Sequence, residues 1–355
     1  MSVFNRTTNI PLPARRIFRL SLATALALAV AYAADRPLPY LAPLFAFMLS
    51  AAPGPPLQAK SVVGLLLLIA VTFGFGLLLT PVLIEYPLVG LMLIALGLYL
   101  ANYIVASKGQ SVAATFLTAG LTMITAAGTA SFALASAVVT AMLLGIVLAV
   151  LCQHIAHAIF PEDDAVAPPP APQSTNSSAL NWMALRATLI VFPPYLLALI
   201  NPAMYLPLIM KSASLGQQDS SVSAGQLGRE ILGSTFLGGC LAVLFWLALK
   251  LYPNLWFFFL WMLLFAVYIS SKLYGVAVSR FPASYWINVM VTLLILVGPA
   301  VADSANGNDV YKGFAVRMSL FVAVALYAWA AVWFLELIRN RRLQKMRTPD
   351  SNQPA

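Results

Sequence analysis

Charged residues are scarce in this chain. Only 9% of the 355 residues are charged, whereas soluble domains carry about 25%. The sequence holds two cysteines and two histidines, too few for a disulfide framework and a weak basis for a zinc site. The motifs GxxxxGK(S/T), GxSxG, HExxH and CxxC are absent. These absences disfavour an enzyme and a pump with its own nucleotide site, and we expect neither a cofactor nor a metal.

Long apolar runs make up most of the sequence. Hydrophobic residues account for 61% of the chain, and the mean hydropathy is +0.88. Runs of about 18 or more apolar residues recur along the whole length, which is typical of membrane-spanning helices. The sequence therefore predicts an all-α polytopic membrane protein with about twelve spans in the lipid bilayer.

The predicted spans form two groups of six. They cover residues 17–34, 38–54, 61–83, 87–106, 111–130, 133–159, 182–200, 203–222, 229–250, 254–274, 282–302 and 314–338. We predict a membrane repeat over 1–160, a solvated cytoplasmic linker over 161–181, a second repeat over 182–343 and a cytoplasmic tail over 344–355. The second and eighth spans are interrupted. Ten full spans with two re-entrant segments is therefore an open alternative.

The basic residues predict the orientation in the membrane. With the N-terminus inside and every span crossing, 16 of the 20 Lys and Arg residues fall on the inner side, as the positive-inside rule requires. We therefore expect both termini and the linker in the cytoplasm. Because the net charge of +9 is concentrated at helix ends, we expect no nucleic-acid partner.

Two interrupted apolar stretches lie at corresponding places in the halves. The first runs from Pro37 to Lys60, contains Pro-x-x-Tyr-Leu at Tyr40, and breaks at Pro53-Gly54-Pro55-Pro56. A looser copy carries the same motif at Tyr205 and ends on Arg229. Matching landmarks lie 165 to 169 residues apart, and six spans per half make the repeat parallel. Paired, interrupted segments of this kind point to the binding site of a transporter.

These features resemble a known family. An arginine before the first span, Pro39-Tyr40 at the start of the second, a Pro/Gly break and a basic residue opening the third are similar to the fusaric-acid-resistance superfamily, which includes bacterial aromatic-acid exporters. Leu41 and Leu206 follow the tyrosines where many members have tryptophan, and the large cytoplasmic domain of many members is missing. The resemblance implies a compact exporter of aromatic or other organic acids in the bacterial inner membrane. It also implies a periplasmic adaptor of the membrane-fusion type as a partner.

Lys211 is the most distinctive single residue. When Tyr205 is aligned with Tyr40, Lys211 falls opposite Ala46, in the middle of the eighth span. A charge at that depth costs about 2.5–3.5 kcal/mol on insertion scales and is usually paired or lines a wet cavity. We predict a cationic site for an organic anion, with Tyr40 and Tyr205 offering aromatic faces and hydroxyls. The alternative is that Lys211 extends its ammonium group to the inner surface.

Hydroxyl side chains follow one face of the fifth span. They are Ser111, Thr115, Thr118, Thr122, Thr125 and Thr129, at steps of three and four residues. Such a stripe lines a polar path or lets helices pack closely. The hypothesis of a polar path puts Thr118, Thr122 and Thr125 in the binding site, together with Asn288 from a sparser polar stripe in the eleventh span.

Four basic residues at helix ends recur in the repeat, namely Arg19, Lys60, Arg186 and Arg229. They anchor the topology, or they form a cytoplasmic vestibule that attracts anions. Taken together, the sequence predicts a secondary transporter that exports organic acids. A passive organic-anion channel and a non-transporting membrane subunit that scaffolds an adaptor complex are the alternatives. Assembly as a homo-oligomer is open.

Overall fold

The computed structural model describes residues 10–35, 37–107, 111–162, 177–216 and 224–347. Over these ranges the regular elements are twelve α-helices, with no β-strand. In chain order, α1 to α12 are Leu12–Ala33, Leu41–Ser50, Ala59–Glu85, Pro87–Ser107, Ser111–Ala130, Phe132–Ile159, Ser177–Ile200, Pro202–Gly216, Ala224–Leu251, Leu255–Leu273, Ala283–Ala305 and Val310–Arg347. Ten of them are long and apolar enough to cross a membrane. The predicted fold class, a polytopic helical membrane protein, is confirmed.

The two helices that fall short are α2 and α8, with 10 and 15 residues. At 1.5 Å per residue they are about 15 and 22 Å long, less than the hydrocarbon thickness of about 30 Å. The count of ten full-length spans therefore agrees with the alternative interpretation, whereas its two re-entrant segments are a separate question. Helix α2 ends before the Pro53-Gly54-Pro55-Pro56 break, because proline supplies no N–H and clashes with a preceding helical turn. The residues that follow α8, 217–223, lie outside the described ranges.

An extended segment carries the chain onward from α2. Helix α2 runs parallel to α6. Near the end of α2, the side-chain amide of Gln153 on α6 donates to the carbonyl of Leu49 at 3.0 Å. Further along, the ring Nε2 of His157 lies 3.3 Å from the carbonyl oxygen of Gly54. The segment after α2 thus reaches the face on which α6 ends. It forms a broken span rather than a re-entrant loop.

The halves pack through corresponding helix pairs. Helix α3 packs on α5, and α9 packs on α11; between the halves, α1 packs on α10, and α4 packs on α7. Helices α5 and α8 also meet, as do α11 and α2, so these four helices line the centre of the interface between the halves. Helix α1 begins and α6 ends on the same face, which we call the inner face. The opposite face is the outer face.

Three local predictions differ from the structure. Helix α7 begins at Ser177 rather than 182, because the hydroxyl of Tyr99 on α4 donates to Asn181 at 2.9 Å and holds this first turn against the bundle. Helix α12 continues to Arg347, past the predicted limit at 343. Glu162 was predicted to lie in a solvated linker, but its side chain is largely shielded from solvent because arginines of α1 bind it. The remaining predicted limits of the repeats stay predictions, and residues 163–176 lie outside the described ranges.

Candidate functional site

Lys211 is fully buried in α8. Its Nζ donates to Oδ1 of Asn288 and to Oγ1 of Thr292, each at 2.6 Å. Asn288 and Thr292 are four residues apart on α11 and therefore lie on one face of that helix. Thr292 is about 14 Å along α11 from its inner end at Ala283. The ammonium group thus sits inside the bundle, slightly inward of its middle, and does not reach the surface.

A chain of hydrogen bonds extends the Lys211 cluster to α9. The side-chain amide of Asn288 donates to the hydroxyl of Ser234 at 2.5 Å. Ser234 donates in turn to the backbone carbonyl of Glu230, also at 2.5 Å. The hydroxyl of Thr292 donates a hydrogen bond to the backbone carbonyl of Asn288 at 2.6 Å. The cluster therefore joins α8, α9 and α11 through neutral polar groups.

The charge of Lys211 has no counter-ion in the part of the chain that the structure describes. An ammonium group carries three N–H donors, and the described residues supply two acceptors, both neutral. Glu230 takes part through its backbone carbonyl rather than its carboxylate. A buried charge without an opposite charge is unfavourable. A bound anion would supply the missing opposite charge.

The two predicted tyrosines lie further out than Lys211. Tyr40 is buried, and its Cβ packs directly against Gly298 of α11. Gly298 follows Thr292 by six residues, which is about 9 Å along the helix towards the outer face. Tyr205 is half-buried and precedes Lys211 by six residues on α8. The tyrosines are therefore near the outer side of the cluster, without direct contact with the ammonium group.

Four threonines of the α5 stripe are buried, Thr129 is half-buried, and the stripe is hydrogen bonded. Thr122 donates to the carbonyl of Thr118 at 2.7 Å, and Thr125 donates to that of Leu121 at 2.8 Å. Thr118 donates to the side-chain oxygen of Asn102 on α4 at 3.4 Å. These hydroxyl hydrogens are therefore used within the bundle, and a role of Thr118, Thr122 and Thr125 in binding stays a prediction.

Glycines on α5 let α3 approach closely. A Cβ at Gly120 would lie 2.5 Å from the ring of Phe73, and one at Gly128 would lie 2.6 Å from the hydroxyl of Thr80. Small residues at such contacts allow membrane helices to pack without a gap. The geometry of α5 therefore agrees with the packing interpretation of its small and hydroxyl side chains.

The four repeated basic residues have different surroundings. Arg19 and Arg186 are buried, whereas Lys60 and Arg229 are exposed. Their grouping in one vestibule stays a prediction. What the sequence reasoning missed is the partner of Arg19, because Glu162 was assigned to solvent. The available signal was position, since Glu162 directly follows a span that ends on the face where α1 begins.

Glu162 forms a buried ion cluster with α1. Its carboxylate contacts the guanidinium groups of Arg16 and Arg19, the latter at 2.5 Å. Burial opposes ionisation of Glu162, but hydrogen bonds from the two arginines outweigh it, so the pKa of the carboxyl group lies below its usual value of 4.5. The glutamate therefore stays ionised and holds the end of α6 against α1.

A cavity of about 420 Å³ opens at the outer ends of α8, α11 and α12. Asp303 and Arg317 form its ion pair, with two nitrogen–oxygen distances of 2.6 and 3.1 Å. Asp309 and Lys312 contribute further charge, and Met204 of α8 forms part of the wall. The cavity places charged groups at the outer end of the helix that carries Lys211.

A family model described as a protein of unknown function, DUF2955, matches residues 16–156. The match runs from α1 into α6 and covers less than half of the chain. It contains Tyr40 and the threonine stripe, but not Lys211. No curated protein and no solved structure matches the chain.

Proposed function

We propose that this chain is a secondary transporter that exports organic acids, aromatic carboxylates first, across the bacterial inner membrane. The observation that carries the proposal is the buried ammonium group of Lys211, which is held by Asn288 and Thr292 and has no carboxylate partner among the described residues. Charges inside a membrane bundle commonly mark substrate or ion pathways.

The carboxylate of a substrate would complete this cluster. Hydrogen bonds between ionised partners are about twice as strong as those between neutral groups. Lys211 would supply the charge, and Asn288 and Ser234 would supply neutral donors beside it. An aromatic ring extending outward from the carboxylate would point towards the level of Tyr40 and Tyr205.

Access to the site requires helix movement, since Lys211 is fully buried. Helix α8 is short and contains Pro207, which removes one backbone hydrogen bond from the helix. Rocking of one repeat against the other around a fixed site is the usual form of alternating access. Helix α8 packs on α5, α7, α11 and α12, so its movement would open the cluster between the halves.

The direction of transport comes from the resemblance to aromatic-acid exporters. That resemblance also supports a periplasmic membrane-fusion adaptor as partner. The match to a family of unknown function neither favours nor opposes export of organic acids, because the description of that family names no substrate.

The test is efflux of a labelled hydroxybenzoate from cells that make the wild type, Lys211→Ala or Lys250→Ala at matched membrane levels. Lys250 is an exposed lysine at the outer end of α9, so its substitution controls for the loss of one positive charge. We expect wild type and Lys250→Ala to lower retention, and Lys211→Ala to have no effect on it.

Three other outcomes would contradict the proposal or favour one of the alternatives. Equal export by Lys211→Ala would remove Lys211 from the site. Voltage-dependent current that persists after the proton gradient is collapsed would favour the channel. No export by any form, with the adaptor supplied, would favour the scaffold.

A further inference from the structure

Three arginines of α1 hold the start of the linker. Arg15 donates through Nη1 to the carbonyl of Pro161 at 3.0 Å. Arg16 donates through Nε to Oε1 of Glu162 at 2.7 Å, and Nη2 of Arg19 lies 2.5 Å from Oε2. The side chain of Glu162 is only 6% exposed. A carboxylate from outside the helices therefore fills a cationic recess between α1 and the end of α6.

This recess has more hydrogen-bonding capacity than Glu162 uses. Arg19 is 1% exposed, and its Nε and Nη1 have no hydrogen-bond partner among the residues described. A guanidinium group carries five N–H donors in a fixed plane suited to carboxylates. Buried donors without acceptors are energetically unfavourable. Within this ion pair, Oε2 of Glu162 also makes no well-aligned hydrogen bond, so the glutamate does not use the full capacity of Arg19.

The same region contains the end of the broken second span. The hydroxyl of Tyr274 on the inner end of α10 donates to the carbonyl of Ala51 at 3.0 Å. The charges of Arg19 and Glu162 both act on Tyr274 and on His157, which contacts Gly54. The ion cluster is therefore next to the extended segment that completes the α2 crossing.

We propose that Arg16 and Arg19 form a binding site for a carboxylate anion, and that Glu162 occupies this site as a tethered competitor. A free anion with two oxygens would replace the glutamate carboxylate and reach the unfilled donors of Arg19. Arg16, Arg19 and Glu162 together carry one net positive charge, so the site stays attractive to anions even when Glu162 is bound. This binding site does not depend on transport through the Lys211 cluster.

Tethering sets the strength of the competition. Glu162 lies three residues beyond the end of α6, so its carboxylate is held beside the arginines at a high effective concentration, which a free carboxylate must exceed to bind. Removing the glutamate carboxylate should therefore strengthen anion binding by at least about tenfold. In the wild type, Glu162 would block the recess unless anion concentrations are high.

The experiment is chemical rescue with benzoate on the full chain in detergent. Glu162→Ala should unfold at a lower temperature than the wild type, and benzoate should restore the loss at concentrations at least about tenfold below those that affect the wild type. Benzamide, which has the same shape without the charge, should not. Glu162→Gln keeps the side-chain shape and replaces Glu162→Ala if that variant does not fold.

Two controls make the result specific. Asp303→Ala removes the carboxylate from a second ion pair, the one with Arg317 at the outer face, and benzoate should not rescue it. In Glu162→Ala/Lys211→Ala, benzoate binding measured by calorimetry should persist, and in Glu162→Ala/Arg19→Gln it should disappear. The proposal is overturned if benzoate stabilises Asp303→Ala equally, if neither Glu162 variant responds, or if binding is lost with Lys211.

Discussion

The two halves carry different chemistry at one corresponding place. In the second half, Lys211 on α8 is surrounded by the polar side chains of α9 and α11. In the first half, the aligned residue is Ala46 on α2, and its neighbour Phe45 packs edge-on against Phe116 of α5 with ring centroids 4.7 Å apart. The repeat keeps the helix arrangement while one copy is filled with aromatic rings. Only the second copy presents a charge there.

The largest effect is expected from a lysine at the corresponding place in the first half. Ala46 is completely buried beside aromatic rings, so Ala46→Lys adds both volume and an unpaired charge. We expect a cost of several kcal/mol and loss of folded protein from the membrane. Size-exclusion chromatography of a fluorescent fusion measures this directly. Normal accumulation would mean that the first half holds polar space that its packing does not show.

Removing the charge from the second half should separate stability from transport. In Lys211→Met, export should fall by a factor of about 30 or more, because a buried charge partner contributes about 2–5 kcal/mol. Stability should change little, since removing a buried charge offsets the lost hydrogen bond to Asn288. Efflux and thermal unfolding of the same preparation measure the two effects. A large drop in stability without a drop in transport would make Lys211 a structural residue.

The contact between the halves at Gly298 should be sensitive to a single methyl group. A Cβ at this position would overlap Tyr40, which leaves no room for relaxation on the α11 side. We expect Gly298→Ala to destabilise the protein by about 1–3 kcal/mol. Gly64→Ala is the matched control, because it meets nothing within 4 Å and replaces a helical glycine. Equal unfolding temperatures for the two variants would contradict the tight contact between Tyr40 and α11.

Valine substitutions compare the hydroxyls of the two halves. Thr122 bonds only to carbonyls of its own helix, so Thr122→Val should cost less than about 1 kcal/mol and leave export unchanged. Thr292 accepts from Lys211, so Thr292→Val should lower export several-fold. Dose–response curves for a labelled hydroxybenzoate would show the difference. If Thr122→Val is the more damaging change, the α5 stripe is part of the path.

The smallest expected effect is on acid stability. Because the folded-state pKa of Glu162 is depressed, its contribution to stability is present above the unfolded-state pKa and disappears as the pH falls through the folded-state value. The wild type should therefore exceed Glu162→Gln in unfolding temperature at neutral pH, and the difference should shrink below about pH 4.5. Thermal scans across pH would measure it. A constant difference would exclude ionised Glu162 as its source.

The sequence was sufficient for features that follow from local chemistry. The Pro53-Gly54-Pro55-Pro56 break predicts where α2 weakens, and the charge of Lys211 in an apolar run marks it as unusual. Asn288 was identified from its helix, but Ser234 was not, because only the packing of α9 on α11 brings it near. Glu162 was misplaced for the same reason. Its burial depends on where α1 lies relative to the end of α6, which no local pattern specifies.

The broken second span also has a consequence for biogenesis. A helix of ten residues is too short to enter a bilayer stably by itself, and the extended segment after it leaves backbone carbonyls that lipid cannot satisfy. The group that satisfies the carbonyl of Ala51 is the hydroxyl of Tyr274, synthesised 223 residues later. The second span is therefore incomplete until the tenth helix has entered the membrane. Synthesis must therefore pass residue 274 before this contact of the first half can form.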